Sequence, residues 1–151
     1  MDPFLIVGGA LLFFLLSNSG KDTGLIWPVK IPIRITGRFS DKRGDRLHGA
    51  IDIAAPTGTP VFAMADGYIV KYWTDNIYGG GLSMQLKHDG DITVGFAHLS
   101  QNNIHQSGTK VKKGDLVAYS GNTGTSTGPH LHITIYKNNE RVDPLAILPT
   151  L

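Results

Sequence analysis

Apolar residues along this chain follow two different patterns. From Phe4 to Leu16 they form one unbroken run, FLIVGGALLFFLL, with no charge in it. Farther on they come in short stretches, several alternating with polar residues, at 29–35, 60–65, 67–73, 82–87, 92–97, 116–120 and 131–136. Runs of this length and period predict strands, because successive side chains on a strand point to opposite faces. The separators Pro56-Thr57-Gly58, Asp66-Gly67, 78–81, Asp89-Gly90, Lys113-Gly114-Asp115 and 121–128 supply turn chemistry and positive φ. No stretch of a dozen residues after the first twenty carries a helical stripe, and no fixed-period repeat is visible. The expected fold is therefore mostly β and antiparallel, with only short helices after the initial run.

As a helix, the initial run spans about 20 Å, less than the roughly 30 Å hydrocarbon core of a bilayer. The neutral residues Ser17, Asn18, Ser19 and Gly20 narrow that gap. The favoured expectation is an N-terminal apolar helix that serves as an uncleaved membrane anchor. A cleaved signal segment suits the small-residue pattern Ser17-Asn18-Ser19, but no Lys or Arg precedes the run. A helix buried against another protein is the third reading. The organisation expected is 1–20 as hydrophobic anchor or signal segment, 21–34 as linker and first strand, and 35–151 as a single domain.

Composition then removes several classes of function. Lys and Arg number 14 against 12 Asp and Glu, a formal charge of +2 without the clustering that marks a nucleic-acid binder, so no nucleic-acid partner is expected. Cysteine is absent, which excludes disulfides and thiolate metal sites. A transition metal would have to be held by His and carboxylate.

Four of the six histidines occupy settings that suit such a site. In His48-Gly49-Ala50-Ile51-Asp52 an imidazole and a carboxylate lie four positions apart, both acceptable to zinc. A straight strand would separate them by about 13 Å, so a bend at Gly49-Ala50 is predicted. In Gly128-Pro129-His130-Leu131-His132-Ile133-Thr134-Ile135 the alternation predicts a strand with both histidines on one face, about 7 Å apart, and Leu131, Ile133 and Ile135 on the other. Strand geometry leaves His130 and His132 equivalent. His98, in Ala97-His98-Leu99-Ser100, closes a predicted strand. Three protein ligands with an open fourth position is the usual form of a catalytic zinc site, and the candidates here exceed three.

These residues carry a resemblance to the lysostaphin-type, or LytM-type, zinc endopeptidases of bacterial peptidoglycan, over roughly residues 35–148. It rests on Gly37-Arg38-Phe39-Ser40, on His48 to Asp52 with the following Ile53 to Val61, on Ala97 to Ser100, on Val111 to Gly114, on Gly121 to Gly124, on Ser126 to His132 and on Val142-Asp143-Pro144. The resemblance implies an antiparallel β-sandwich-like core (a duplicated hybrid motif) and one zinc per chain. It makes His48, Asp52 and His132 the metal ligands and His98 and His130 the catalytic pair beside the attacking water. It implies bacterial peptidoglycan as partner, a domain facing the cell wall or periplasm, and groove walls that include 78–81 and 121–128. One departure is the order Gly49-Ala50 where relatives place glycine second; another is that no groove-loop tyrosine can be assigned.

Other residues carry blander expectations. His88 sits at a hairpin tip and reads as a turn residue, and His105, in a polar loop, reads as plain surface. Arg38 reads equally as a groove contact or an exposed charge, and Trp27, Tyr72 and Trp73 as core or rim. Two rival functions stand beside the enzyme: a non-catalytic module that binds peptidoglycan or regulates another hydrolase, and a component of a phage particle. The first usually lacks a ligand, and this chain lacks none; the second changes location rather than chemistry.

Overall fold

The computed structural model describes residues 23–74, 76 and 79–151, so the expected N-terminal apolar helix lies outside the described residues. Among the described residues no helix is long and apolar enough to cross a membrane. Twelve strands follow one another: β1 (Ile35–Gly37), β2 (Lys42–Arg43), β3 (Arg46–Leu47), β4 (Ile51–Ala54), β5 (Pro60–Phe62), β6 (Gly67–Trp73), β7 (Leu82–His88), β8 (Ile92–Gln101), β9 (Lys110–Val111), β10 (Leu116–Ser120), β11 (His130–Lys137) and β12 (Glu140–Val142). A 3-10 turn, Pro144–Ala146, is capped by Asp143. All described pairings are antiparallel.

Ten strands form one sheet in the order β1-β4-β11-β8-β7-β6-β9, with β12 on β11 and β5 on β10, while β2 and β3 form a separate hairpin. The expected sandwich is thus continuous in its hydrogen bonds. The link is β8: Ile92 to Ala97 pair with β11, whereas Leu99 and Gln101 pair with β10. Val61 of β5 and Val117 and Ala118 of β10 then join Ile51, Phe96 and Ile133 of the main sheet in one core cluster.

The alternation in β11 decides which way that strand faces. Leu131, Ile133 and Ile135 are fully buried, and the residues between them are half-buried on the opposite side. Burying each such side chain contributes about 1.5–3 kcal/mol, so a one-residue slip, which would expose all three, is strongly disfavoured.

The predicted strand at 29–35 does not form. Pro28 and Pro32 lack the N–H that a ladder needs, and regular pairing starts only at Ile35. The stretch before it is nevertheless packed on the domain: Leu25 and Val29 are buried, Ile26 N donates to Met64 O at 2.9 Å, and Thr23 Oγ1 donates to Ile147 O at 2.7 Å.

His88 ends β7 as a core histidine, only 2% exposed. Its Nδ1–H donates to Asp66 O at 3.2 Å, and its Nε2 finds no partner. Burial pushes its pKa below 6.5. The unfolded chain therefore binds a proton near pH 6.5 that the folded chain refuses, so the associated stability is present above that pH and lost as pH falls through the lower folded value. Denaturation midpoints at pH 8 and pH 5 are expected to differ more for the wild type than for His88→Leu.

Candidate metal centre and active-site cleft

The register of three strands assembles the site. On β11, His132 stands opposite Asp52 of β4 and opposite Ala97 of β8. Asp52 faces Gly37 of β1 on its other side. A Cβ on Gly37 would lie 2.3 Å from Asp52 Oδ2 and 3.1 Å from His48 Cε1, so the glycine is what leaves room for both side chains.

His48 arrives from the loop before β4, and the predicted bend is present: Gly49 has φ +68°. The N–H groups of His48 and Gly49 donate to the carbonyls of Asp41 and Phe39 at 2.7 and 2.9 Å. The turn brings His48 Nε2 to 3.3 Å from Asp52 Oδ2.

His98 reaches the cleft by a different device. Continued alternation from Ile92, Val94 and Phe96 would send its side chain into the core. Instead His98 adopts φ +58°, and the register against β7 shifts between Leu82 and Met84, as in a β-bulge that re-aims a side chain. Its backbone N–H donates to Gly80 O at 2.8 Å, which holds the kinked strand against the 79–81 loop. Sequence alternation alone gave no sign of this reversal.

Backbone carbonyls set the tautomers of three imidazoles. A carbonyl oxygen only accepts, so a ring nitrogen beside one must carry the proton. His48 Nδ1–H donates to Arg38 O at 3.0 Å, His98 Nδ1–H to Thr123 O at 2.8 Å, and His130 Nδ1–H to Gly128 O at 2.8 Å. Each neutral ring therefore presents a lone pair at Nε2. His132 is the exception, with its Nδ1 lying 2.8 Å from Asp52 Oδ1 and 3.3 Å from His48 Nε2.

Two sets of donor atoms lie within 4.8 Å of one another: His48, Asp52 and His132, and His98, His130 and His132. Both contain His132. The first combines two imidazoles with a carboxylate and fits a dication of borderline softness such as zinc, since the carboxylate offsets part of its charge. The second adjoins it, with ring centroids 4.7 Å apart for His98 and His130 and 5.5 Å apart for His98 and His132.

Electrostatics favour the states that metal binding needs. Burial holds the pKa of His48 below 6.5 despite the opposing attraction of Asp52, and burial does the same for His98. Both stay neutral to a lower pH than a free imidazole. For Asp52 burial acts against ionisation, but the hydrogen bond and charge of His132, with His48 and His130, outweigh it and hold the carboxyl below its usual range. The half-exposed guanidinium of Arg43 lies 3.4 Å from Asp52 Oδ2.

These groups line a cleft of about 930 Å³. Of the expected walls 78–81 and 121–128, Gly79, Gly80 and residues 125–128 line the cleft, whereas Gly81 and residues 121–124 do not; Tyr78 lies outside the described residues. Trp27, Tyr72 and Trp73 do not line it. His105, expected as plain surface, is instead half-buried with its Nε2–H donating to Leu116 O at 2.8 Å, a structural role. The part of Arg38 that matters is its carbonyl, which orients His48. Gly37, Thr123 and Ser126, whose Oγ lies 3.2 Å from His130 Nδ1, are supporting residues whose roles become visible only in three dimensions.

The chain belongs to peptidase family M23, which it matches over residues 46–144. The DD-carboxypeptidase/endopeptidase Mpg of Neisseria meningitidis is 41% identical over 106 residues, covering 70% of this chain and 24% of Mpg. Among solved structures, a zinc-containing peptidase from Vibrio cholerae superposes with a TM-score of 0.73 at 28% identity, over 84% of this chain and 40% of that one. The catalytic domain of lysostaphin from Staphylococcus simulans gives 0.66 at 31% identity, over 75% of this chain and 90% of that one. The chain spans about a quarter of the length of the relatives it matches, 26% and 24% for two of them.

Gly37→Ala tests how tightly the donor set is supported. The added methyl displaces the Asp52 carboxylate, and zinc affinity measured by chelator competition is expected to fall about 10–100-fold, the usual effect of disturbing a ligand's support.

Proposed function

We propose that this chain is a zinc-dependent endopeptidase, with one zinc per chain, that hydrolyses peptide bonds in the stem peptides or cross-bridges of bacterial peptidoglycan. The observation that carries the reading is the approach of His48 Nε2, the Asp52 carboxylate and His132 Nδ1 to within 2.8–3.3 Å of one another at the floor of an open cleft. Here His48, Asp52 and His132 are the metal ligands, and His98 and His130 are the catalytic pair. Zinc in such a donor set supplies Lewis acidity, which polarises a peptide carbonyl and makes water more acidic.

The chain's own residues do the rest. With Nδ1–H committed to a carbonyl, a neutral His98 or His130 accepts at Nε2 the proton that the attacking water loses. The same nitrogen, once protonated, returns that proton to the departing amine. The other imidazole, in its doubly protonated form, turns an Nε2–H donor toward the oxygen on which charge develops. All five residues are present, which favours this reading over a module that only binds the wall.

The unbroken apolar run from Phe4 to Leu16 supports a membrane anchor that holds the domain toward the cell wall or periplasm. The same arrangement would serve a cellular wall enzyme or a phage particle that opens a host envelope. Deleting 1–20 is expected to move the protein from the membrane fraction to the soluble one; unchanged fractionation would remove the anchor.

The function is tested on purified cell walls. Zinc-loaded protein is expected to release new amino groups, chelator to stop the release, and added zinc to restore it. His132→Ala should lose both metal and activity. His98→Ala should keep about one zinc but react about 10²–10⁴-fold more slowly, the usual contribution of a proton-transfer group. No amine release from walls of several chemistries, or wild-type behaviour of His132→Ala, would reject the enzyme.

A further inference from the structure

Charge is unevenly divided between the two walls of the cleft. Among the described residues that line it, Arg34, Arg43, Arg46 and Arg141 are basic and Asp52 is the single acid. The topology puts all four arginines on the β1–β4 side of β11. Arg34 precedes β1, and its carbonyl accepts from Ala54 N at 3.0 Å. Arg43 and Arg46 face each other across the β2–β3 hairpin. Arg141 lies on β12, which extends the same side of β11, and it packs over Gly49, where an added Cβ would meet its Nη1 at 2.9 Å. The described residues of the opposite wall, 79–80 and 125–129, include no charged side chain.

Arg141 is partly engaged, donating from Nε and Nη2 to Tyr136 Oη and lying over that ring, whereas the arginines as a set have little negative charge to offset them. Only Arg43 makes an ion pair among the described residues, and its partner Asp52 is shared with His48, His130 and His132. Cations gathered along a groove focus positive potential and raise the local concentration of anionic ligands. The planar fork of arginine also matches a carboxylate in bidentate geometry.

We propose that this wall is a carboxylate-reading subsite, so that the substrate is a peptide bearing free side-chain or α-carboxylates beside the scissile bond. The uncharged wall opposite receives small, neutral residues. This rests on the endopeptidase reading and narrows its substrate class, against a neutral cross-bridge.

The test uses the full zinc-loaded chain and two synthetic wall peptides, identical except that the carboxylates are free in one and amidated in the other. Cleavage and equilibrium binding by fluorescence anisotropy are both measured, at low and high salt. The free-carboxylate peptide should be favoured at least about tenfold, as expected for a charge-assisted contact, and less so at high salt. Arg34→Gln and Arg46→Gln should each shrink that ratio, whereas Lys137→Gln, exposed and outside the cleft, should not. Equal cleavage and binding of the two peptides, or a ratio that survives both arginine substitutions, overturns the subsite. If neither peptide is cut, the endopeptidase reading fails, and the binding ratio still decides whether the wall reads carboxylates.

Discussion

The register of β11 between β4 and β8 is the constraint on which everything else in the structure depends. It sets Leu131, Ile133 and Ile135 into the core and, by the same alternation, turns His130 and His132 out to the cleft. It also sets His132 directly opposite Asp52. Core packing and metal chemistry are therefore opposite faces of one strand. Stability protects the site: slipping β11 by one residue to spoil the donor set would also empty the core of three fully buried side chains.

Around this strand the chain spends backbone, rather than side chains, on orientation. The carbonyls of Arg38, Thr123 and Gly128 each take one imidazole N–H and leave the other nitrogen bare. Two of these carbonyls belong to the glycine-rich 121–128 stretch, whose residues 125–128 also line the cleft. That stretch thus helps to shape the cleft while setting the protonation pattern of His98 and His130. His132 is oriented instead by the Asp52 carboxylate and by the His48 imidazole, both at its Nδ1.

How much of this was legible in the sequence follows the range of each interaction. The alternation around Leu131 and the glycine bend after His48 are local, and both are found where local pattern puts them. The stretch 29–35 has the apolar content of a strand, but Pro32 within it and Pro28 just before it cannot donate to a ladder. The short strands β1 and β4 escaped notice because three or four residues are too few to show a period, although β4 carries Asp52. The reversal at His98 opposes the alternation that precedes it and depends on the distant Gly80 and Thr123. The arginine wall gathers residues from positions 34 to 141, which no local pattern could collect. His130 and His132 are equivalent by periodicity, and their separate roles come from the family resemblance; in the structure the two rings differ in the partner of Nδ1, Gly128 O for His130 and the Asp52 carboxylate for His132.

A crystal structure of the zinc-loaded protein, with diffraction recorded on both sides of the zinc absorption edge, tests the central claim most directly. One anomalous peak is expected within about 2.0–2.2 Å of His48 Nε2, an Asp52 carboxylate oxygen and His132 Nδ1, with His98 and His130 outside bonding distance. A peak bonded instead to His98, His130 and His132 would contradict the assignment of ligands and catalytic groups.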